Sequence, residues 1–246
     1  MKHLKLRRAI IATARRMNEL GINQGTSGNV SARAGNKMLI TPSGVPYDDL
    51  RPADIVEMQF DGGWQCAVPG RRPSSEWRFH LDVLRARPEF GALVHVHPVQ
   101  ATALACQRRG IPAFHYMIAV AGGNSIRCAP YATFGTATLS RNALKALEGR
   151  TGCLLANHGM IACGVDLTTA LALAVEIETL AAQYNAAMQT GRPKILSEAE
   201  MRRVLAKFKA GYGYGSEPAA PKAAGAHAAR APKRRTGRTD RRSRRR

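Results

Sequence analysis

Two histidines stand two residues apart in an otherwise apolar run, GALVHVHP, at residues 91–98. On a β-strand, side chains at positions i and i+2 point to the same face. Leu93, His95 and His97 would therefore share one face, and Val94 and Val96 would share the other. Burying two imidazole rings is costly unless both find polar partners. The run predicts either two separately hydrogen-bonded histidines or two ligands of a common site.

Two further residues complete a set that can hold a metal ion. His158 stands in ANHG, at the end of an apolar strand and beside a turn glycine, and Glu76 stands in PSSEWRFH, in the first turn of a helix that starts at Ser74 or Ser75. Three histidines and a carboxylate are typical of a catalytic divalent-metal site, most often zinc. Spacing alone does not bring His158 close to the other two histidines, so unrelated histidines stay an alternative from these residues alone.

Three short loops rich in glycine and hydroxyl groups form a second candidate site: TSGN at 26–29, SG at 43–44 and SS at 74–75. Glycine lets a backbone approach an anion closely, and N–H and O–H groups donate to it. The third loop also opens a helix, whose N-terminus favours phosphate. Taken singly, each loop is better explained as an ordinary turn or helix cap. Three of them beside a metal-type residue set favour a phosphate site.

The last 31 residues differ in composition from the rest of the 246-residue chain. Residues 216–246 contain eleven Lys and Arg against two acidic residues and carry +9 of the formal net charge of +20. Because this tail has no large aliphatic or aromatic residue, it cannot offset the entropy cost of ordering and is predicted to be disordered. Residues 1–215 suit one domain with a sizeable core. The tail predicts weak, nonspecific polyanion binding, or else a solvated extension without a specific partner.

The five cysteines are scattered, odd in number and without a Cys-x-x-Cys pair. This usage is typical of free thiols in a reducing compartment, so a cytoplasmic protein is expected. No apolar run approaches the ~20 residues needed to span a bilayer, and no membrane partner is expected. The N-terminus is basic like a transit peptide, but its helical apolar stripe and Gly21 favour an ordinary first helix.

Helices alternating with short strands predict a compact α/β layered structure around a mixed sheet, with several strands antiparallel. Helices are predicted at 4–20, from Ser74 or Ser75 to about Pro88, and at 99–109, 140–148, 167–190 and from 197 onward. Strands are predicted at 37–41, 54–60, 64–68, 91–97 and on both sides of the ANHG turn. No strand is predicted in GINQGTSGNVSAR, residues 21–33.

Six strings resemble the class II aldolase/adducin family: NQGTSGNVSAR, LITPSGVPY, PSSEWRFH, HVHP, IPAFHYMIAVAGGNSIRCAPYATFGT and ANHGMIACG. The similarity runs over nearly all of residues 1–210, and the tail has no counterpart in it. The resemblance implies a single-domain α/β fold with a central mixed, mostly antiparallel sheet flanked by helices. It also implies a zinc-dependent homotetramer with sites between subunits. The implied reaction is reversible cleavage of L-fuculose 1-phosphate, or a related ketose 1-phosphate, to dihydroxyacetone phosphate and an aldehyde such as L-lactaldehyde.

The resemblance also implies roles for individual residues. His95, His97 and His158 would bind zinc, and Glu76 would act as acid/base and ligate the metal when no substrate is present. Tyr116 would reach into the neighbouring subunit's site to handle the aldehyde end. The aldehyde pocket would include Phe134 and one tyrosine of GYGYG, Tyr212 or Tyr214. The substrate phosphate would be held by Gly28, Asn29, Ser43, Gly44, Ser74 and Ser75.

Other functions on the same scaffold stay open. Epimerases that resemble this chain carry aspartate where Glu76 stands, which argues against epimerisation of a pentulose phosphate. Dehydration of a methylthioribulose phosphate and decarboxylation of a sugar-acid phosphate are less easily excluded. A non-enzymatic, adducin-like scaffold would lack the metal, and the presence of all four metal-type residues disfavours it.

Overall fold

The computed structural model describes residues 1–211; the tail at 216–246, the proposed domain boundary at 215, Tyr212 and Tyr214 all lie outside the described residues. The helices are α1 (Leu4–Glu19), α2 (Trp77–Ala86), α3 (Val99–Cys106), α4 (Ala137–Ala146), α5 (Leu167–Thr190) and α6 (Glu198–Lys209). The strands are β1 (Asn29–Ala34), β2 (Lys37–Ile40), β3 (Val56–Gln59), β4 (Trp64–Gln65), β5 (Ala92–Val96), β6 (Ile111–Pro112), β7 (Ser125–Ala129), β8 (Gly152–Leu155) and β9 (Gly159–Gly164). Short 3₁₀ helices occupy Tyr47–Asp49, Pro52–Asp54 and Tyr116–Ala121.

The nine strands found within residues 1–211 form one sheet in the order β4-β3-β2-β1-β5-β9-β8-β7-β6. Every neighbouring pair is antiparallel except β7 and β8, which run parallel. The predicted mixed, mostly antiparallel sheet is confirmed. Strand β5, which carries the first histidine of HVHP, lies in the middle of the sheet between β1 and β9, so both of its edges are hydrogen-bonded.

Helices cover both faces of the sheet, and a separate apolar cluster fills each layer. Val94 and Val96 belong to the cluster that includes residues of α1, α3, α5 and α6. Leu93 belongs to the other cluster, with residues of α2 and α4. The alternation predicted along β5 is therefore confirmed, because successive strand residues point to opposite faces.

Two local expectations need correction. Strand β1 begins within the segment in which no strand was predicted, at 21–33, and extends one residue beyond it; its buried Val30 and Ala32 pack in the core. Helix α2 begins at Trp77 rather than at a serine, so Glu76 is its N-cap residue and not part of its first turn. The Ser74 N–H donates to the Thr41 carbonyl at 3.1 Å, and the Trp77 N–H donates to the Ser74 carbonyl at 3.0 Å, so residues 74–76 form a tight turn that leads into the helix.

Among the other elements, α4 begins three residues before its predicted start, and α3 and β4 each end three residues before their predicted ends. The bounds of α1, α5 and α6 agree closely with the sequence pattern. Gly21 follows α1 with a φ of +69°, a conformation that glycine adopts without strain. Helix α5 spans the predicted residues, and the Ser197 side chain caps α6 by accepting the Glu200 N–H at 3.2 Å. Within residues 1–211, no helix is both long enough and apolar enough to cross a membrane.

Candidate metal centre

The structure brings together all four residues that the sequence singled out as metal-type ligands. One ligand atom from each of Glu76, His95, His97 and His158 lies within 4.8 Å of the others. Glu76 is the N-cap residue of α2, His95 lies on β5, and His97 is the residue that directly follows β5. His158 immediately precedes β9, and the pairing of β9 with β5 brings it to the end of β5.

The carboxylate of Glu76 lies between two of the imidazoles. His95 Nε2 is 3.0 Å from Glu76 Oε2, and His158 Nε2 is 3.1 Å from Glu76 Oε1. His97 completes the group, with its Nε2 2.9 Å from His95 Nε2. The three ring centroids are 4.7–4.9 Å apart. All three histidines therefore present Nε2 to a common centre.

The hydrogen bond on the far side of His95 defines which of its nitrogens faces that centre with a lone pair. His95 Nδ1 is 2.9 Å from the Met160 carbonyl oxygen, which can only accept, so Nδ1 carries the proton. In the neutral ring, Nε2 then directs a lone pair at Glu76 Oε2 and at His97 Nε2. Acceptors this close repel one another unless a proton or a cation lies between them.

A divalent cation fits this arrangement. Glu76 Oε1 is buried, and within residues 1–211 no hydrogen bond reaches it. A cation at the centre would satisfy this oxygen and the converging imidazole lone pairs at once. Nitrogen and carboxylate ligands suit zinc and several other divalent ions, and the His95–Met160 contact is the outer hydrogen bond that metal-bound histidines usually make.

The ionisation of the cluster also suits a metal. Burial by itself would raise the pKa of Glu76, but the neighbouring His95 and His158 lower it well below its ordinary value. Burial, followed by the charges of His95 and His158, lowers the pKa of His97 to about 3. An ionised carboxylate and a neutral imidazole are the forms that bind metal ions.

Glu76 is held from behind by a buried polar chain. Asn29 Nδ2 donates to Glu76 Oε2 at 3.1 Å, and Asn29 Oδ1 lies against His80 Nε2. The Ser31 hydroxyl lies 2.7 Å from His80 Nδ1. Sequence reasoning missed His80, although its position four residues after Glu76 places it on the same side of α2. The amide of Asn29, predicted to bind phosphate, is engaged in these two contacts, and its phosphate role stays a prediction.

The glycine of ANHG has a different role from the predicted one. The left-handed turn position belongs to Asn157, with a φ of +53°, whereas Gly159 is the first residue of β9. A Cβ atom on Gly159 would lie 2.5 Å from His97 Cδ2 and 2.6 Å from the Val96 carbonyl oxygen. Glycine at this position therefore makes room for the His97 ring.

The structure places the three predicted phosphate loops near the cluster. The Ser43 N–H donates to the Arg72 carbonyl at 3.1 Å, and the adjacent Pro42 and Pro73 form a β-bridge, so the second and third loops lie side by side. Gly28 packs against β5, where a Cβ would lie 2.5 Å from the His95 carbonyl oxygen. The three loops thus border the elements that carry Glu76 and His95. Ser43, Gly44 and Ser75 are exposed, whereas Gly28, Asn29 and Ser74 are buried.

The two described residues of the predicted aldehyde end are exposed. Tyr116 is 44% exposed and its ring lies 4.8 Å from that of His115. Within residues 1–211, no hydrogen bond or ring contact joins Tyr116 to the metal-type cluster. Phe134 is 63% exposed. The loop of Phe134 crosses the third phosphate loop, since a Cβ on Gly135 would lie 2.7 Å from the Ser75 carbonyl oxygen.

A layered α/β fold in which three histidines and a glutamate converge near the central strand β5 indicates a class of metal-binding proteins. Residues 8–185 match the family model described as Class II Aldolase and Adducin N-terminal domain, and the chain belongs to that family. Relatives up to 55% identical to the chain are named aldolases, and the chain is accordingly a class II aldolase, a lyase.

Two curated relatives and one solved structure illustrate the similarity. The chain is 55% identical over 220 residues to the 5-methylthioribulose-1-phosphate/5-deoxyribulose-1-phosphate aldolase of Rhodospirillum rubrum, covering 89% of this chain and 98% of the relative. It is 50% identical over 210 residues to the L-fuculose phosphate aldolase of Escherichia coli K12, covering 85% and 96%. A solved L-fuculose 1-phosphate aldolase superposes with a TM-score of 0.80 at 40% identity, over 83% of this chain and 96% of that one.

Proposed function

We propose that this protein is a zinc-dependent aldolase that reversibly cleaves a ketose 1-phosphate between C3 and C4. The products are dihydroxyacetone phosphate and an aldehyde. The observation that carries this proposal is the convergence of Glu76, His95, His97 and His158 beside the loops that hold Ser43 and Ser74. A cluster of metal-binding side chains next to loops that can bind an anion suits a phosphorylated sugar as the substrate.

A bound divalent ion would act as a Lewis acid that stabilises the negative charge on the substrate's C2 and C3 oxygens as the C3–C4 bond breaks. The electron pair of that bond stays on C3, which then takes a proton. Glu76 is the carboxyl group placed to transfer it, because its oxygens lie within the cluster. As a carboxylate it can take the C3 proton in the condensation direction, and in the cleavage direction it must be protonated to return that proton to C3.

The proton of the C4 hydroxyl must leave as the aldehyde forms. We assign this transfer to Tyr116, whose exposure suits a residue that works in a neighbouring subunit's site. Gly28, Asn29, Ser43, Gly44, Ser74 and Ser75 are assigned to the phosphate, which would fix the sugar over the metal. Phe134 and Tyr212 are assigned to the aldehyde end.

Two substrates follow from the two kinds of relative. L-Fuculose 1-phosphate is the first, with L-lactaldehyde as the product. The second is 5-deoxyribulose 1-phosphate, with acetaldehyde as the product, because the relative that includes this activity in its name is 55% identical to the chain. Both share the phosphorylated end and differ only in the aldehyde part.

The deciding assay measures release of dihydroxyacetone phosphate from each substrate, before and after chelation and after zinc is restored. We expect cleavage that chelation abolishes and zinc restores, and the better substrate is the one with the higher kcat/KM. Glu76→Gln should retain the fold and lose turnover. Zinc-loaded wild-type protein that cleaves neither compound would refute both substrate assignments and redirect the assay to another phosphorylated sugar, such as the 5-methylthioribulose 1-phosphate in the relative's name, or to dehydration or decarboxylation.

We also propose a homotetramer with sites between subunits. If Tyr116 acts in the neighbouring site, mixing Tyr116→Phe with Glu76→Gln, both nearly inactive alone, should regenerate some intact sites and recover activity. Subunit exchange, checked by mass spectrometry of the mixture, without recovered activity would contradict this arrangement.

Finally, we propose a cytoplasmic location and weak polyanion binding by the tail. The five free cysteines support a reducing compartment. Removing residues 216–246 should leave kcat unchanged and reduce retention on heparin. A large loss of kcat would show that the tail is more than an appendage.

A further inference from the structure

His80 is a buried titratable group that the proposed reaction does not use. Its exposed fraction is 0%, and its two ring nitrogens contact two side chains of β1. Nε2 lies against Asn29 Oδ1, and Nδ1 lies 2.7 Å from the Ser31 hydroxyl. Neither nitrogen contacts one of the metal-type residues directly.

The backbone explains why these groups meet. Asn29 and Ser31 are two residues apart on β1 and so share a face, and Asn29 is paired with His95 across the β1–β5 ladder. His80 follows Glu76 by four residues and therefore lies one turn along α2. The hydrogen-bonded series Ser31–His80–Asn29–Glu76 thus alternates between β1 and α2, and all four side chains are buried.

The hydrogen-bond directions along this chain are determined by the chemistry of its ends. Glu76 as a carboxylate can only accept, so the amide of Asn29 must present its NH₂ group to Glu76 and its oxygen to His80. That oxygen can only accept as well, so His80 Nε2 carries the proton. Nδ1 is then the acceptor for the Ser31 hydroxyl.

The opposite tautomer would reverse every bond. A proton on Nδ1 would leave a lone pair on Nε2, which favours the amide rotated by 180°, with its oxygen against Glu76. Two oxygens facing each other at this distance repel unless Glu76 is protonated. The tautomer of His80 therefore decides whether Asn29 offers a donor or an acceptor to Glu76.

We propose that His80 is a positioning residue: as the Nε2–H tautomer it holds the Asn29 amide with its NH₂ group toward Glu76 and so fixes the orientation of that carboxylate. The proposal deepens the function proposed above, on which its kinetic consequence rests. Burial, followed by the charge of His95, lowers the pKa of His80 to about 3, so the ring is neutral at the working pH.

Two substitutions separate this role from simple packing. His80→Gln keeps an amide N–H that can donate to Asn29 Oδ1, whereas His80→Leu fills the space without a donor. Asp82→Asn is the control on the same helix, because Asp82 also lies on α2 and accepts a partly buried hydrogen bond from the Ser140 hydroxyl at 2.6 Å, outside the cluster.

We expect His80→Leu to lower kcat and zinc affinity by about 10- to 100-fold, the usual cost of losing a residue that supports a metal-site ligand. His80→Gln should recover most of both losses. Asp82→Asn should lower Tm while leaving kcat and zinc affinity unchanged. If His80→Leu and His80→Gln lose the same fraction of kcat and of zinc affinity at matched Tm, the hydrogen-bond donor at position 80 is irrelevant and the proposal is overturned.

A measurement without substrate tests the tautomer directly. In two-bond ¹⁵N–¹H correlation spectra of protein labelled at histidine, the signals that His80→Gln removes should show a protonated Nε2 and an unprotonated Nδ1. The Nδ1–H tautomer, or a doubly protonated ring at neutral pH, would overturn the proposal. Because this readout needs no turnover, it stands even if the proposed substrates are not cleaved.

Discussion

Gly159→Ala tests whether the packing around His97, rather than the ligands alone, determines metal binding. The added Cβ would lie 2.5 Å from His97 Cδ2 and 2.6 Å from the Val96 carbonyl oxygen. Ordinary carbon contacts are about 3.5–4.0 Å, so one group must move by roughly 1 Å. A rotation of the imidazole relieves the first of these contacts only. The Val96 carbonyl belongs to a central strand that is paired on both sides, so β5 and β9 must also separate slightly at this point.

The size of the effect follows from this displacement. Overpacking a well-filled site costs about 1–3 kcal/mol, and each 1.4 kcal/mol is about tenfold in an equilibrium constant. A ring moved by roughly 1 Å no longer directs Nε2 at the common centre. We therefore expect zinc affinity to fall by about 10- to 100-fold. The metal-free protein should also lose stability, because the clash with the Val96 carbonyl is present without the metal.

The assay is a competition titration of zinc against a chromophoric chelator, combined with urea unfolding of the metal-free protein. Gly152→Ala is the matched control. Gly152 lies on β8, beside β9, and its Cβ would meet the flexible end of Ile177 at 2.5 Å and the Ile161 carbonyl at 3.2 Å. This control should lower stability and leave zinc affinity unchanged. Wild-type zinc affinity in Gly159→Ala would refute the reasoning.

Three further predictions concern stability. Chelation should lower Tm, because zinc held at about 100 times its Kd stabilises the folded state by about 2.7 kcal/mol; calorimetry showing equal Tm with and without zinc would contradict a metal bound by the folded chain. Burial raises the pKa of Asp54, but hydrogen bonds from Arg51 and Arg71 outweigh it and lower that pKa. The ionised Asp54 therefore stabilises the folded state above its unfolded-state pKa of about 3.9, and this stabilisation is lost as pH falls through its folded-state pKa. In urea unfolding, Asp54→Asn should lower the free energy of unfolding by about 2 kcal/mol at pH 7 and by less at pH 3. An equal loss at both pH values would be inconsistent with ionisation as the cause. The Glu178 carboxylate accepts hydrogen bonds from the N–H groups of Gln100 and Ala101 at the start of α3, each at 2.8 Å. Glu178→Ala should lower the free energy of unfolding by about 1–2 kcal/mol, as for loss of a helix cap. Hydrogen exchange should become faster at those two amides, which is the measurement that checks the prediction.

Local sequence patterns determined much of the architecture. The alternation in GALVHVHP was sufficient to assign β5 and its two faces, since burial selects side chains by the two-residue repeat of a strand. Helix α5 was predicted at its observed bounds, with Gly191 directly after it. The residue types at 76, 95, 97 and 158 predicted a metal-type ligand set, because few other groups bind such ions, but by themselves they left unrelated histidines as an alternative.

The contacts that complete the site depend on residues far apart in the chain and were decided by the tertiary structure. The start of α2 was misplaced because residues 74–76 form a tight turn, closed by the Trp77 N–H on the Ser74 carbonyl and joined to Thr41 by the Ser74 N–H. The proximity of His158 to His95 results from the pairing of β9 with β5. The sequence did not identify His80 as a site residue, because its role comes from contacts with β1. A local sequence pattern does not show which buried polar groups form hydrogen bonds with one another. Sequence thus determined which groups are available for chemistry, whereas strand pairing and helix packing decided which of them meet.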